Sequence, residues 1–187
     1  MSKKPQTFTL DPEDDMPDYD DMAFLFFHTA TPGYAFADDL NRLYRMALSR
    51  QADLKMHGCQ WPFYRYSDPV SKLTYLMVER PAGGGGTAMH WKEGHKLLVI
   101  QGEDAQLRAQ QIRSDFETAP QRAPIPSLAD EERARILELY QQELMPVSLF
   151  ALGEETTTPL SRKAARERAE MELMVRDVVD TLDYLEH

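Results

Sequence analysis

MAFLFFHTATPGYAFADDLNRLYRMAL, residues Met22–Leu48, passes from an almost unbroken apolar run through Thr-Ala-Thr-Pro-Gly into residues that recur at helical spacing. A short run without polar interruption is the pattern of a strand covered on both faces, which predicts a strand over Met22–His28. Phe36, Leu40, Leu43 and Ala47 then step by four, three and four, with Tyr44 and Leu48 alongside, and predict an amphipathic helix. The turn between them is the first place to ask whether a connection also carries chemistry.

The same strand-to-helix passage recurs twice. Lys96–Ile100 is a second apolar strand, ended by Gln-Gly-Glu-Asp and followed by Ala105, Ala109, Ile112 and Phe116 on one stripe. Val147–Leu152 is a third, leading through Gly153-Glu-Glu-Thr-Thr-Thr-Pro into a last helix from about Leu160. Between the first two passages, Trp61–Ser67 alternates aromatic and polar residues and Lys72–Glu79 is strand-like. The Ser-Asp-Pro-Val-Ser joining them supplies turn chemistry, so these two segments pair as a hairpin. Ser127-Leu-Ala-Asp-Glu is a variant of the capping box with Asp130 at the third helical position, opening a helix that Pro146 closes. Pro120, Pro124 and Pro126 make a stiff link ahead of it. The order predicts a mixed α and β fold, a single mixed β-sheet containing an antiparallel hairpin and flanked by helices.

With 187 residues and 42% hydrophobic content the chain buries one core and reads as one domain over residues 21–184. Residues 1–20 form an acidic arm, with a short strand expected at Thr7–Leu10. Through Asp21 they hold seven acids against Lys3 and Lys4, a net −5 and half of the chain's −10. Leu185-Glu186-His187 read as the remnant of a tag. An acidic chain repels phosphate backbones, which argues against nucleic acid. No apolar run approaches the roughly 20 residues that span a bilayer, and no export signal follows Met1, so a cytoplasmic protein without membrane association is expected. Cys59 is the single cysteine and has no internal disulfide partner.

In open sheets, ligands gather beyond the carboxyl ends of parallel strands. If the three units run parallel, that edge collects His28, Thr29, Thr31, Glu103, Asp104, Glu154 and Glu155. A histidine among acids there can hold a cation or act as a general base. The competing reading is that Thr, Asp and Glu cap helices and complement their positive ends. No spacing fixes catalytic geometry, and no catalytic residue, metal ligand or cofactor is assigned. The four glycines Gly83–Gly86 lack the Gly-Lys-Ser/Thr ending of a phosphate loop and read as a hairpin loop. His57-Gly-Cys59 and the pair His90 and His95 do not make half of a zinc site.

Along the last helix Met171, Val175, Val178 and Leu182 form a stripe, the spacing of a seam or of a core-facing row. Arg162, Lys163, Arg166 and Arg168 crowd its start and Asp177, Asp180 and Asp183 its end, against the helix dipole. Pairs four apart, such as Lys163 with Glu167, Arg166 with Glu170 and Glu172 with Arg176, offset part of this. An antiparallel pairing with a second copy would bring each basic start to an acidic end. A homodimer through this stripe is therefore one expectation, and packing on its own sheet the other.

Pro12-Glu13 followed by Asp18-Tyr19, then the apolar strand, then Ala37-Asp-Asp-Leu-Asn41 opening a helix, and later Phe63-Tyr-Arg-Tyr66, resemble the IPExxxDY family of small bacterial proteins. The resemblance runs from Asp11 to about Gly102 and again around Val147–Ala165. It departs from the name-giving pattern in having Asp11 where Ile is expected and a longer Glu-to-Asp spacing. The family has no assigned activity, cofactor or catalytic residues, so the resemblance implies a bacterial, intracellular protein and no residue roles. The leading expectation is a non-catalytic module that works through protein contacts, with the last helix and the acidic arm, suited to a basic partner, as contact surfaces. The alternative is a small-ligand-binding protein or enzyme at the strand ends, using His28, Glu103 and Glu154.

Overall fold

The computed structural model describes residues 21–82, 91–118, 127–143, 148–150 and 161–186. The acidic arm, the Gly83–Gly86 loop, His90, the proline link, Glu154 and Glu155 lie outside the described residues.

Eight strands and four helices follow in the order β1 (Met22–His28), α1 (Gly33–Tyr44), β2 (Ser49–Arg50), β3 (Leu54–Met56), β4 (Cys59–Trp61), β5 (Phe63–Ser67), β6 (Thr74–Glu79), β7 (His95–Gln101), α2 (Ala105–Glu117), α3 (Leu128–Glu143), β8 (Ser148–Phe150) and α4 (Arg162–Glu186) among the described residues. A six-stranded sheet has the order β2-β5-β6-β7-β1-β8, and β3 and β4 form a separate ribbon. The three apolar strands of the three passages, β7, β1 and β8, lie side by side as the sequence implies. Every ladder, however, is antiparallel. β1 runs opposite to both β7 and β8, with His28 across from His95 and Met22 across from Gln101.

The pleat divides β1 between two cores. Ala23, Leu25 and Phe27 join α1, α2 and α3 on one face, whereas Phe24 and Phe26 join α4 and the ribbon on the other. This is why the run is apolar without alternation. On the first face, Phe27, Phe36, Phe116 and Tyr140 meet edge to face, with ring centroids 4.9 Å apart for Phe27 and Phe36 and 5.3 Å for Phe36 and Tyr140. Such pairs add ~1 kcal/mol each to the burial of the rings themselves. The four residues come from β1, α1, α2 and α3, so one aromatic cluster fixes all three helices to the sheet. Arg133 reinforces it by donating to the Leu43 carbonyl at 2.7 Å and to Asp115 at 2.6 Å.

On the second face, Met174, Val175, Val178 and Val179 of α4 are buried, with Met171 and Leu182 packed beside them. Of the two expectations for this stripe, a dimer seam or packing on the chain's own sheet, the described residues take the second. A long apolar row finds an adjacent sheet face at no loss of translational freedom, so the intramolecular partner takes it. Part of the charge pattern of this helix is also matched within the chain. Asp177 Oδ2 accepts from Trp91 Nε1 at 3.4 Å and lies 2.9 Å from His57 Nε2. The pairs Lys163–Glu167, Arg166–Glu170 and Glu172–Arg176 form as expected.

Local departures have local causes. The helix expected to reach Ala47 ends at Tyr44, where Arg45 turns left-handed at φ 53° and Met46 N bonds back to the Asn41 carbonyl. The Asn41 side chain then brackets Leu48, accepting from its N–H at 2.7 Å and donating to its carbonyl at 3.1 Å. Pro62, which has no N–H for a ladder, divides the expected Trp61–Ser67 strand between ribbon and sheet. The capping box of α3 is present: Asp130 N donates to Ser127 Oγ at 3.2 Å, and Ser127 N to Asp130 Oδ2 at 3.0 Å. Among the described residues no helix is long and apolar enough to cross a membrane.

Candidate functional site

At the His28 end of the sheet, the ends of β1 and β6 and the start of β7 surround a cavity of about 620 Å³. Its described lining includes His28, Ala30, Pro32, Glu79, Arg80 and Lys96. The volume falls within the range of small-molecule sites, ~300–1,000 Å³.

Lys96 is the decisive residue. It sits directly across β6 from Glu79 and across β1 from Phe27, and its side chain is only 1% exposed. A lysine buried this far must be paired. Its Nζ lies 3.3 Å from Glu79 Oε1 and donates to the Thr29 carbonyl at 3.2 Å. Burial holds the Lys96 amine below its ordinary value, with Glu79 opposing the shift. The cation also stands 5.9 Å from the centre of the Phe36 ring.

Glu79 has a second task. The Gly33 N–H, the first of α1, donates to Glu79 Oε2 at 3.0 Å. Pro32, at the N-cap, has no side-chain oxygen to offer, so a carboxylate from β6 supplies the cap and complements the helix dipole. A β-carbon at residue 33 would lie 2.1 Å from that carboxylate oxygen, so any larger residue there would push the Glu79 side chain aside. Gly94 shows the same economy of space at φ 82°: a β-carbon would meet the Thr29 carbonyl at 2.9 Å.

The wall between β1 and α1 is the Thr-Ala-Thr-Pro turn. Thr29 is buried, its N–H donates to the Gly94 carbonyl at 3.1 Å, and its Oγ1 accepts from Thr31 N at 3.1 Å. The turn thus connects two elements and also forms cavity wall, with its Thr29 carbonyl held by Lys96. His28 Nε2 donates to the Glu93 carbonyl at 3.0 Å and packs edge to face on His95 at 5.0 Å. His95 Nδ1 accepts from Lys92 N at 3.0 Å. Desolvation, with smaller contributions from His28, Lys92 and Arg80, pushes His95 down to about 4, so it is neutral at neutral pH.

Only part of the expected strand-end group comes together. His28, Thr29 and Thr31 are at this end. Glu103 and Asp104 follow Gln101, which pairs with Met22, and so lie at the opposite end of a seven-residue strand, ~20 Å away. The antiparallel course of β1 separates them, and a site combining His28 with Glu103 is excluded. Asp104 occupies the N-cap position of α2 without a side-chain cap bond.

Lys96 and Glu79 were not singled out from the sequence, although a signal existed. Each is a charged residue at the end of an otherwise apolar strand, in HKLLVIQ and TYLMVE, and opposite charges at such positions pair when the two strands do. A search against models of protein families and against curated proteins finds no match to this chain.

Proposed function

We propose that the protein binds a small organic molecule in the cavity at the His28 end of the sheet. The observation that carries this reading is the ion pair of Lys96 and Glu79 in the cavity wall, buried at the lysine and partly open at the carboxylate. Proline and alanine surfaces of Pro32, Pro62, Pro81 and Ala30 supply the apolar remainder. Small-molecule sites have this composition, mainly apolar with a few fixed polar groups that orient the ligand. The polar groups are pre-set by the fold. Glu79 is fixed by a helix start, Lys96 by a carbonyl, and His28 by the Glu93 carbonyl. Little ordering cost would then remain for binding.

A contact function, the other expectation, would have to use surfaces other than the α4 stripe, since that stripe is occupied by the sheet. Equilibrium dialysis of the protein against the low-molecular-weight fraction of a cell extract, followed by mass spectrometry, tests the ligand reading. Compounds retained by the wild type should be released by Ala30→Trp, which fills the cavity from an exposed turn position. Equal retention by both proteins would overturn it.

A further inference from the structure

The geometry points to a ligand that carries a neutral primary carboxamide, its carbonyl oxygen on Lys96 Nζ and its amide nitrogen on the Glu79 carboxylate. This inference rests on the small-ligand reading above and adds the chemistry of the group recognised.

An ammonium group has three N–H donors. Those of Lys96 reach the Thr29 carbonyl and Glu79 Oε1, and the third has no oxygen acceptor among the described residues, only the Phe36 ring at 5.9 Å. A group 1% exposed gains most from an acceptor that completes its set, because bulk water hardly reaches it. Glu79 has the converse surplus. Its two oxygens take one donor each, from Gly33 N and Lys96 Nζ, while a carboxylate has about four acceptor positions, and the side chain remains 19% exposed. The two groups that carry this spare donor and spare acceptor capacity, Lys96 and Glu79, are already paired at 3.3 Å and both line the same cavity. A ligand that matches both must offer an acceptor and a donor side by side.

Charge decides among such ligands. The pair is internally neutral, with Lys96 compensated by Glu79. A ligand carboxylate on Lys96 would set a second negative charge next to Glu79, and a ligand ammonium on Glu79 would set a second positive charge next to Lys96. Like charges in a poorly solvated site cost several-fold more than in water. A primary carboxamide brings a carbonyl acceptor and an N–H donor without net charge. The apolar lining takes the rest of the molecule.

The test uses matched fragments at pH 7.5: isobutyramide beside isobutyrate, cyclopentanecarboxamide beside cyclopentanecarboxylate, and benzamide beside benzoate. Binding is read from the backbone amide resonances of Gly33, Gly94 and Lys96 in the full chain. Each amide should bind at least tenfold more tightly than its acid, and both Ala30→Trp and the doubly neutral Lys96→Met/Glu79→Gln should abolish the difference. Acids that bind equally or better, with shifts at the same residues, would overturn the carboxamide assignment and leave the small-ligand reading standing. Shifts from neither member of any pair, or shifts unchanged by Ala30→Trp, would overturn both. Should the double variant fail to give a folded spectrum, Ala30→Trp together with the amide-to-acid ratio of the wild type decides.

Discussion

Separating Lys96 from Glu79 should destabilise the protein unequally according to which partner is removed. Lys96→Met leaves a carboxylate that still accepts from Gly33 and is 19% exposed, whereas Glu79→Gln leaves an ammonium group 1% exposed. Each orphan has an escape, which is to become neutral, and this sets an upper limit on the cost. For the amine, shedding its proton at pH 7 from an ordinary value near 10.5 costs at most about 4.8 kcal/mol. For the carboxylate, taking a proton at pH 7 from about 4.3 costs at most about 3.7 kcal/mol. Partial solvation of Glu79 lowers its share further, so Glu79→Gln should cost about 3–4 kcal/mol and Lys96→Met about 2–3. The double variant should recover much of the loss, because nothing charged is then left alone. The two single variants also differ in pH response. In Glu79→Gln the folded amine titrates well below the unfolded one, so the unfolded chain binds more protons and stability rises with pH. The penalty should shrink by up to about 1.4 kcal/mol per unit between pH 7 and pH 9. Urea unfolding of the four proteins at pH 7, 8 and 9 measures all of this. Single-variant costs under about 1 kcal/mol, or a Glu79→Gln penalty that does not change with pH, would refute the reasoning.

Acid should weaken the fold through His95, whose folded value of about 4 lies below the unfolded 6.5. Its contribution is intact above pH 6.5 and is lost as pH falls towards 4. After allowance for partial solvation, about 1–2 kcal/mol should disappear over that window in the wild type and not in His95→Gln, as followed by urea midpoints. Asp177→Ala removes the acceptor for Trp91 and the partner of His57, and should cost about 1–2 kcal/mol. The losses from Asp177→Ala and His57→Ala should be less than additive in the double variant, and strictly additive losses in thermal unfolding would count against the shared tie. Val175→Ala should lower stability by about 2 kcal/mol through the cavity it opens between α4 and the sheet. Sedimentation velocity of that variant should match the wild type, because the side chain faces inward.

Much of the fold was legible because burial leaves a direct mark on composition. The unbroken run of β1 signals two covered faces, and helices α1–α3 on one side and α4 with the ribbon on the other are what it foretells. The Ser127 capping box was legible for a different reason: its hydrogen bonds are made within four residues. Strand direction was not. Apolar runs look the same in either orientation, and whether β1 runs with or against β7 depends on pairings more than sixty residues apart, such as His28 with His95. That single ambiguity sent Glu103 and Asp104 to the wrong end of the expected site. The ribbon was missed because β3 and β4 are three residues each, and the left-handed turn at His57 and Gly58 that joins them was weighed only for the metal-binding capacity of His57 and Cys59, which was set aside. The stripe of α4 was legible as a buried surface, but spacing alone does not tell a partner's surface from the chain's own.

The way α4 covers the second sheet face has a bearing on synthesis in the cell. Phe24 and Phe26 emerge from the ribosome well before Val175, Val178 and Val179, which help to shield them. Until residues 171–182 have emerged, the part of this face that the ribbon does not cover is a greasy surface of the kind that chaperones recognise and that self-associates when left uncovered. Stalled or prematurely released chains should therefore be far more prone to inclusion bodies than the finished protein. The late helix acts as the protein's own protective cover.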